Sequence, residues 1–250
     1  MAMNRSQATP QHISCQNCSL SQLCLPYSLD PDSLAKLDNI IERHKPLHKR
    51  DRLFSATEKL QCLYAVRSGS FKSFTLNADG EEQITGFHLP GDLIGFDGIH
   101  QGQHQSFAEA LETSMVCEIP YATLDTLTGE LPALRQQMMR LMSSEISADK
   151  TIHNVINNKS AEQRVATFLS TLAQRFGARG LSARQFRLSM TRAEIGNYLG
   201  LTVETVSRLI NKLQANKLIR VEGKFIHVEQ PAQLAALGNQ HRDSQCSAAE

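Results

Sequence analysis

The pattern of apolar residues changes abruptly near residue 130, and this change constrains the fold more than any other feature of the chain. Between residues 45 and 120, apolar and polar residues alternate in short runs at 63–66, 70–76, 83–89 and 114–119. Turn-forming residues interrupt these runs at 77–80, at 90–92 and at Gly95. Short alternating runs with this turn spacing predict antiparallel strands in a small barrel or roll.

A long stretch without glycine follows, from residue 131 to residue 157, and Pro132 is its only proline. Such a stretch predicts one helix longer than most globular helices. Residues at alternating spacings of three and four form a seam along it: Met139, Met142, Ile146, Asp149, His153 and Ile156. A coiled-coil seam of this kind predicts a homodimer. The alternative is a core helix packed on its own roll. Because Met138, Leu141 and Ile152 supply a second apolar flank, we expect both contacts.

Residues 160 to 228 show the pattern helix, strand, helix, turn, helix, hairpin, which predicts a winged helix-turn-helix domain. Thr191 and Glu194 fit a capping box, and Thr202 follows the turn as the next helix cap. A short amphipathic helix is also predicted at 33–43. The chain is therefore predicted to be α+β. We expect a cysteine-rich segment at 1–29, an antiparallel β-roll sensor domain at 30–130, a dimerisation helix at 131–158, the winged helix-turn-helix domain at 159–236 and a polar tail at 237–250.

The second helix of the turn motif combines an apolar face with a polar face suited to reading DNA. We expect the apolar face to pack on the domain core through Val203, Val206, Ile210 and Leu213. The opposite face carries Glu204, Ser207, Arg208 and Asn211. In the major groove arginine pairs with guanine and glutamate accepts from cytosine, whereas a merely solvated face more often carries Lys and Glu four residues apart. With Thr202 at the helix start and Lys224 on the wing, these residues are the predicted DNA-binding set.

Charge is unevenly distributed along the chain. Residues 159–224 contain twelve Lys or Arg and four Glu, an excess of +8, so the remainder sums to −7 for a total of +1. A basic module joined to an acidic body favours a DNA-binding domain attached to a sensor, although a solvated basic face would give the same count.

Three of the six cysteines lie close together near the N-terminus, at Cys15, Cys18 and Cys24. Thiolates are ligands of iron–sulfur clusters and of structural zinc. Zinc sites usually contain two closely spaced pairs, and only one such pair is present, so the spacing favours a cluster and leaves zinc open. The spacing also leaves the fourth ligand open among Cys62, Cys117 and Cys246.

Composition narrows the classes of protein that remain. Hydrophobic residues are 41% and charged residues 20%, which is ordinary for a globular protein. No apolar run approaches the ~20 residues that span a bilayer, and the polar start lacks a signal-peptide core. We therefore expect a cytoplasmic protein with no membrane contact, whose thiols stay reduced. No Gly-rich phosphate loop, HExxH motif or nucleophile elbow indicates an enzyme. A redox enzyme or electron carrier with a basic domain, and a zinc-containing DNA-binding regulator, are the alternative functions.

Five segments, at 15–24, 82–89, 111–119, 134–142 and 195–208, resemble the fumarate and nitrate reduction regulators, a family within the cyclic-AMP receptor protein superfamily. The likeness extends from Cys15 to about Ala236. It implies that Cys15, Cys18, Cys24 and Cys117 hold one oxygen-labile 4Fe-4S cluster per subunit, and that Cys62 and Cys246 are not ligands.

The same resemblance implies a global transcription regulator of anaerobic metabolism. Its cluster-loaded homodimer would bind double-stranded DNA at inverted repeats with TTGAT-type half-sites and would activate or repress transcription. Oxygen would convert the cluster to 2Fe-2S, weaken the dimer and end DNA binding. Glu204, Ser207 and Arg208 would read the half-sites, and loops near Ser68, Gly80 and Phe107 would contact RNA polymerase.

One departure from the wider superfamily concerns its ligand. Cyclic-nucleotide binders carry a Gly-Glu turn and then an Arg-Ser pair for the cyclic phosphate. This chain has Gly95-Phe96 and then Gln105-Ser106, so it lacks both the acid and the arginine. We therefore expect no binding of cyclic nucleotides.

Overall fold

The computed structural model describes residues 14–43 and 45–239 of the chain. These residues form an antiparallel β-roll, a long helix and a C-terminal domain in which helices pack on a small sheet. The predicted α+β architecture is therefore confirmed.

The β-roll consists of two antiparallel sheets. Its strands in the described residues are β1 (Glu42–Arg43), β2 (Arg52–Phe54), β3 (Cys62–Ser68), β4 (Phe71–Leu76), β5 (Glu82–His88), β6 (Leu93–Ile94), β7 (Phe107–Ala110) and β8 (Met115–Pro120). One sheet has the order β1-β8-β3-β6 and the other the order β2-β7-β4-β5. The four predicted runs correspond to β3, β4, β5 and β8. The other strands escaped prediction because two to four residues are too few to show an alternating pattern.

The helix predicted at 33–43 is α1 (Pro31–Ile40). It begins earlier because the Asp30 carboxylate caps it, accepting from the backbone N–H groups of Asp32 and Ser33 at 3.1 and 3.0 Å. It ends at Ile40 because Glu42 and Arg43 leave the helix to pair with β8. The last residues of the predicted helix therefore belong to the β-roll.

Two helices follow the roll. Helix α2 (Tyr121–Glu130) packs between α1 and α3 and buries Leu124 and Leu127. Sequence analysis missed it, because its threonines and Gly129 give a weak helical signal. Helix α3 (Pro132–Asn158) has 27 residues and starts with proline at its first position, so the long helix is confirmed.

The C-terminal domain has the predicted order of elements. It contains α4 (Ala161–Ala178), β9 (Gln185–Arg187), α5 (Arg192–Leu199), α6 (Val203–Ala215), β10 (Ile219–Glu222) and β11 (Phe225–Val228). Helix α7 (Pro231–Asn239), which the sequence pattern did not indicate, packs on α4 and brings Gly238 against Thr167. Within the two described ranges, no helix has the length and apolar character needed to cross a membrane.

Candidate functional site

Two regions of the structure concentrate the predicted functional residues, and the first is the N-terminal cysteine segment. Cys15 opens a short 3-10 helix, Cys15–Asn17, and the segment then turns back on itself. Leu25 is fully buried in a core that also contains Leu37 and Leu134. Cys15, Cys24 and Cys117 all pack against this core, so the fold places the distant Cys117 beside the N-terminal segment.

The cysteine pocket, defined as Cys15, Cys18, Cys24 and Cys117, brings these thiols close enough to influence the pKa of Cys15 and Cys24. Burial raises the pKa of the Cys24 thiol to about 12, with smaller contributions from the neighbouring Cys117 and Cys18. Burial also raises the pKa of Cys15 well above its usual range, helped by Asp38, Cys24 and Cys117. Cys117 therefore lies close enough to both Cys15 and Cys24, and Cys18 close enough to Cys24, to disfavour the ionisation of Cys15 and Cys24.

Strand register determines which remote cysteine joins the pocket. Cys117 lies in the middle of a sheet, with Ala65 of β3 opposite it on one side and Arg43 of β1 on the other. Cys62 begins β3 opposite Pro120, and burial followed by the charges of Glu118 and Glu42 raises its pKa. Both cysteines therefore lie in strands of the same sheet. Cys246 lies outside the described residues.

Asp38 is a contact of this pocket that sequence analysis missed. Its Oδ1 accepts the backbone N–H of Cys15 at 2.9 Å across 23 residues. No sequence pattern indicates this contact, because Asp38 sits on α1 among ordinary solvent-facing polar residues. The bond fixes the start of the cysteine segment against α1.

The second region is α6, whose exposed side we call the reading face: Glu204, Ser207, Arg208 and Asn211. Glu204, Arg208 and Asn211 are exposed. Ser207 is half-buried, and its hydroxyl donates to the carbonyl of Val203 at 2.8 Å. Val206, Ile210 and Leu213 are buried as predicted. Val203 was predicted wrongly as a core residue, since it is 41% exposed, and Leu209 is buried instead. At the first turn of a helix an apolar residue can precede the packed face.

Local sequence sets the geometry of the turn before the reading face. Gly200 ends α5 in the left-handed region with φ of 65°, and Thr202 caps α6 by accepting from the Thr205 N–H at 3.3 Å. A Cβ on Gly196 would lie 2.6 Å from the carbonyl oxygen of Leu201, so close packing of the two helices requires glycine there. Lys224 is exposed on the hairpin between β10 and β11. The base contacts of these residues stay predictions.

The two apolar flanks of α3 have different environments. On one flank Met138 and Leu141 pack against the core below the cysteine pocket, and Ile152 packs against the C-terminal domain. The predicted seam is largely uncovered in the single chain, since Met139 is 62% and Ile146 54% exposed. Asp149 and His153 are also exposed. Met142 and Ile156 are half-buried. Partial desolvation raises the pKa of Asp149, and His153 opposes that shift. An exposed apolar stripe on a long helix supports the expectation of a second subunit.

The three predicted polymerase-contact residues differ in exposure. Ser68 is exposed at the end of β3, and Gly80 is exposed in the turn between β4 and β5 with φ of 78°. Phe107 is not a loop residue: it begins β7, half-buried, with its ring stacked on Phe74 at 5.1 Å and below the Arg52 guanidinium. The polymerase contact stays a prediction.

Inside the roll, the Asp97 carboxylate accepts hydrogen bonds from neighbouring residues of the chain. Its Oδ2 accepts the N–H groups of Gln105 and Ser106, each at 2.9 Å, and the Ser106 hydroxyl at 2.8 Å. Its Oδ1 lies 3.2 Å from Nδ1 of His104, which is buried and stacked on Phe54. Although burial favours the neutral acid, these bonds hold the pKa of Asp97 below its usual range. The donors around this position are therefore already occupied.

Comparison with known proteins identifies two domain families and a set of close relatives. A family model of the Crp-like helix-turn-helix domain matches residues 163–237, and a model of the cyclic nucleotide-binding domain matches residues 44–130. The fumarate and nitrate reduction regulatory protein of Salmonella typhimurium is 55% identical over 96% of this chain and 96% of its own. That of Escherichia coli K12 is 54% identical with the same coverage. The solved structure of FixK2 from Bradyrhizobium japonicum has a TM-score of 0.72 at 28% identity, covering 79% of this chain and 97% of that one.

Proposed function

The chain belongs to the family of fumarate and nitrate reduction regulatory proteins, and we propose that it senses oxygen through one 4Fe-4S cluster per subunit. Membership makes it a DNA-binding transcription regulator rather than an enzyme. We assign the cluster to Cys15, Cys18, Cys24 and Cys117. The observation that carries the proposal is that these four thiols neighbour one another, although Cys117 is remote in sequence.

The donor set suits such a group. Four cysteine thiolates are the usual ligands of a 4Fe-4S cluster, which, when bound, supplies a centre that oxygen can destroy. The chain's own contribution is to hold the thiols in place: Asp38 fixes the backbone at Cys15, Leu25 is buried beside Cys24, and β1 and β3 flank Cys117. The four cysteines are half-buried, so solvent access to the pocket depends on the packing of one short segment.

The spacing of the cysteines favours a cluster over zinc. Structural zinc sites usually contain two closely spaced cysteine pairs, and this chain has only one, at Cys15 and Cys18. A 4Fe-4S cluster needs four thiolates, which three clustered cysteines and the remote Cys117 can supply.

We further propose that the working form is a cytoplasmic homodimer on inverted-repeat DNA that regulates genes of anaerobic metabolism. A two-fold dimer through the α3 seam would present two copies of the reading face to two half-sites. Arg208 and Glu204 carry the donors and acceptors that major-groove edges require, and Ser207 accepts with its remaining lone pairs. We place the TTGAT-type half-sites opposite these residues and the RNA polymerase contacts near Ser68, Gly80 and Phe107.

Cyclic nucleotides are excluded from this proposal, despite the match of the roll to a cyclic nucleotide-binding domain. The Asp97 carboxylate already accepts from the N–H groups of Gln105 and Ser106. A cyclic phosphate would have to displace this carboxylate and would meet its negative charge. The interior of the roll therefore supports a role for the domain as a scaffold.

Anaerobic purification tests the cluster assignment. We expect a brown protein with iron and inorganic sulfide near four per subunit, and a visible absorption that bleaches in air. Serine replacement of any one pocket cysteine should remove the iron and the DNA binding. Cys62→Ser is the matched control for Cys117→Ser, because both residues lie in strands of one sheet. Zinc without sulfide, or iron retained by Cys117→Ser but lost from Cys62→Ser, would contradict the assignment.

A further inference from the structure

Gln137 is a buried polar residue on a helix whose surrounding polar residues are exposed. It is 3% exposed, whereas its neighbour Gln136 and the nearby Arg135 and Arg140 are exposed. It lies on the flank of α3 that also carries Leu134, Met138 and Leu141, which pack against the core shared by the cysteine pocket. Burying an amide is costly unless it is hydrogen-bonded, so its contact requires a reason.

The contact that Gln137 makes is with the cysteine segment. Its Nε2 donates to the backbone carbonyl of Cys24 at 2.9 Å, across 113 residues of chain. Close by on the helix, the Arg140 guanidinium lies 3.9 Å from the centre of the Tyr27 ring. Two consecutive contacts therefore connect α3 to residues 24–27, and one of them engages the backbone of a pocket cysteine directly.

Helix geometry relates this contact to the dimer seam. Successive residues advance about 100° around an α-helix. Gln137 and Met139 are therefore about 200° apart, and Gln137 and Met142 about 140° apart, which puts the seam on the side of α3 away from the pocket. A helix is stiff over this length. A shift of the Cys24 carbonyl thus turns or tilts the seam along with the flank that contacts the pocket.

We propose that Gln137 is the positioning residue that couples the cysteine pocket to the dimerisation helix. The inference rests on the proposed function, since it names the contact through which the conformation of the cysteine pocket affects the orientation of the dimer seam. When the segment 24–27 is in its pocket-forming conformation, the Cys24 carbonyl holds Gln137 and fixes the rotation of α3. When the segment loosens, the bond is lost and α3 is no longer held in the orientation that a partner requires.

Isosteric variants test the coupling. Gln137→Met keeps the length of the side chain and removes the donor, whereas Gln137→Glu places an acceptor against the Cys24 carbonyl. Gln136→Met is the matched control, being the same substitution at the adjacent exposed position. Arg140→Ala is a surface substitution that removes only the Tyr27 contact, and it keeps the test available if a buried variant unfolds. Far-UV circular dichroism checks folding in each case.

Two measurements separate positioning from a purely structural role. The first is the rate at which iodoacetamide alkylates Cys24 in the metal-free protein, followed by mass spectrometry with Cys62 as internal standard. We expect Gln137→Met to raise the Cys24 rate about fivefold, the ratio that corresponds to ~1 kcal/mol, and Gln136→Met to leave it unchanged. The second is the dimer dissociation constant by sedimentation, with and without the anaerobically loaded cluster.

We expect Gln137→Met to load iron and sulfide as the wild type does, yet to lose most of the difference in dimerisation between loaded and metal-free protein. Gln137→Glu should lose at least as much, and Arg140→Ala should shift both measurements in the same direction by less. The inference is overturned if Gln137→Met leaves the Cys24 rate unchanged, or if it raises that rate while the full dimerisation response persists. A wild type that holds zinc or no metal would instead overturn the proposed function, and the Cys24 rate would still decide whether Gln137 positions the segment.

Discussion

Asp92, which follows the turn after β5, is a carboxylate that joins the β-roll to the C-terminal domain through two arginines. Its Oδ2 accepts from Arg175 Nη2 at 2.5 Å and from the Leu89 N–H at 2.7 Å, and its Oδ1 accepts from Arg179 Nη2 at 2.5 Å. Arg179 also donates Nε to the Pro90 carbonyl at 2.6 Å. Replacing Asp92 with alanine would leave both guanidinium groups without their carboxylate.

The burial of Arg179 sets the size of the effect. Its side chain is 5% exposed, that of Asp92 is 27% exposed and that of Arg175 is 32% exposed. Removing one partner of a buried ion pair costs about 3–5 kcal/mol, and partial exposure of the carboxylate places Asp92→Ala near the lower end, at ~3 kcal/mol. For a chain of this size each kcal/mol lowers Tm by about 2–4 °C, so the expected drop is roughly 6–12 °C.

Thermal unfolding followed by circular dichroism measures this drop, with Asp79→Ala as control. Asp79 is an exposed aspartate in the turn between β4 and β5, so its replacement should change Tm by less than about 2 °C. The double variant Asp92→Ala, Arg179→Met should be less destabilised than the sum of the single variants, because Arg179, the more buried of the two arginines, is no longer left without its carboxylate. A Tm for Asp92→Ala equal to that of Asp79→Ala, or strict additivity in the cycle, would refute the reasoning.

The remaining predictions concern DNA recognition, the dimer seam and pH. Arg208→Ala should cost about 1–3 kcal/mol of DNA-binding free energy at one base position. Lys224→Ala should weaken binding to all sequences alike and reduce by about 1 the slope of log binding constant against log salt concentration. Binding titrations over half-site variants and over salt concentration check both, and a uniform loss from Arg208→Ala would assign Arg208 to a phosphate contact. The Asp149→Ala variant should dimerise in air, because it removes the repulsion between the Asp149 carboxylates of the two subunits. Two carboxylates ~5 Å apart at an effective dielectric of ~20 repel by about 3 kcal/mol, which is roughly a hundredfold in the dissociation constant of the dimer. Sedimentation that shows a monomer like the wild type would contradict this expectation. Burial, with the charges of Asp149, Asp97 and Asp92, raises the pKa of Glu145 from its ordinary 4.5 to about 7. The folded state therefore binds more protons in that window, so stability should fall as pH rises from about 4.5 to 7, and Glu145→Gln should flatten the Tm against pH profile.

Several local features were predictable because each depends on residues only a few positions apart. The capping box of Thr191 and Glu194 and the cap at Thr202 are formed as predicted. The reading face was placed on the correct side of α6, although Val203 was assigned to the core, because spacing alone does not show where along a helix packing begins. Helix α2 was missed for a related reason, since its stability comes from packing against α1 and α3 rather than from helix propensity.

The amino-acid sequence by itself determined the succession of β-roll, long helix and winged domain, the close spacing of Cys15, Cys18 and Cys24, and the basic character of the C-terminal domain. Tertiary structure alone decided which distant residues meet. Strand register, rather than any motif, places Cys117 beside the N-terminal segment and leaves Cys62 next to Glu118. Packing likewise buries Gln137 and leaves Gln136 exposed, although both residues are glutamine. Short-range signals fix secondary structure, but a contact between elements exists only once the burial of apolar surface has set their relative positions.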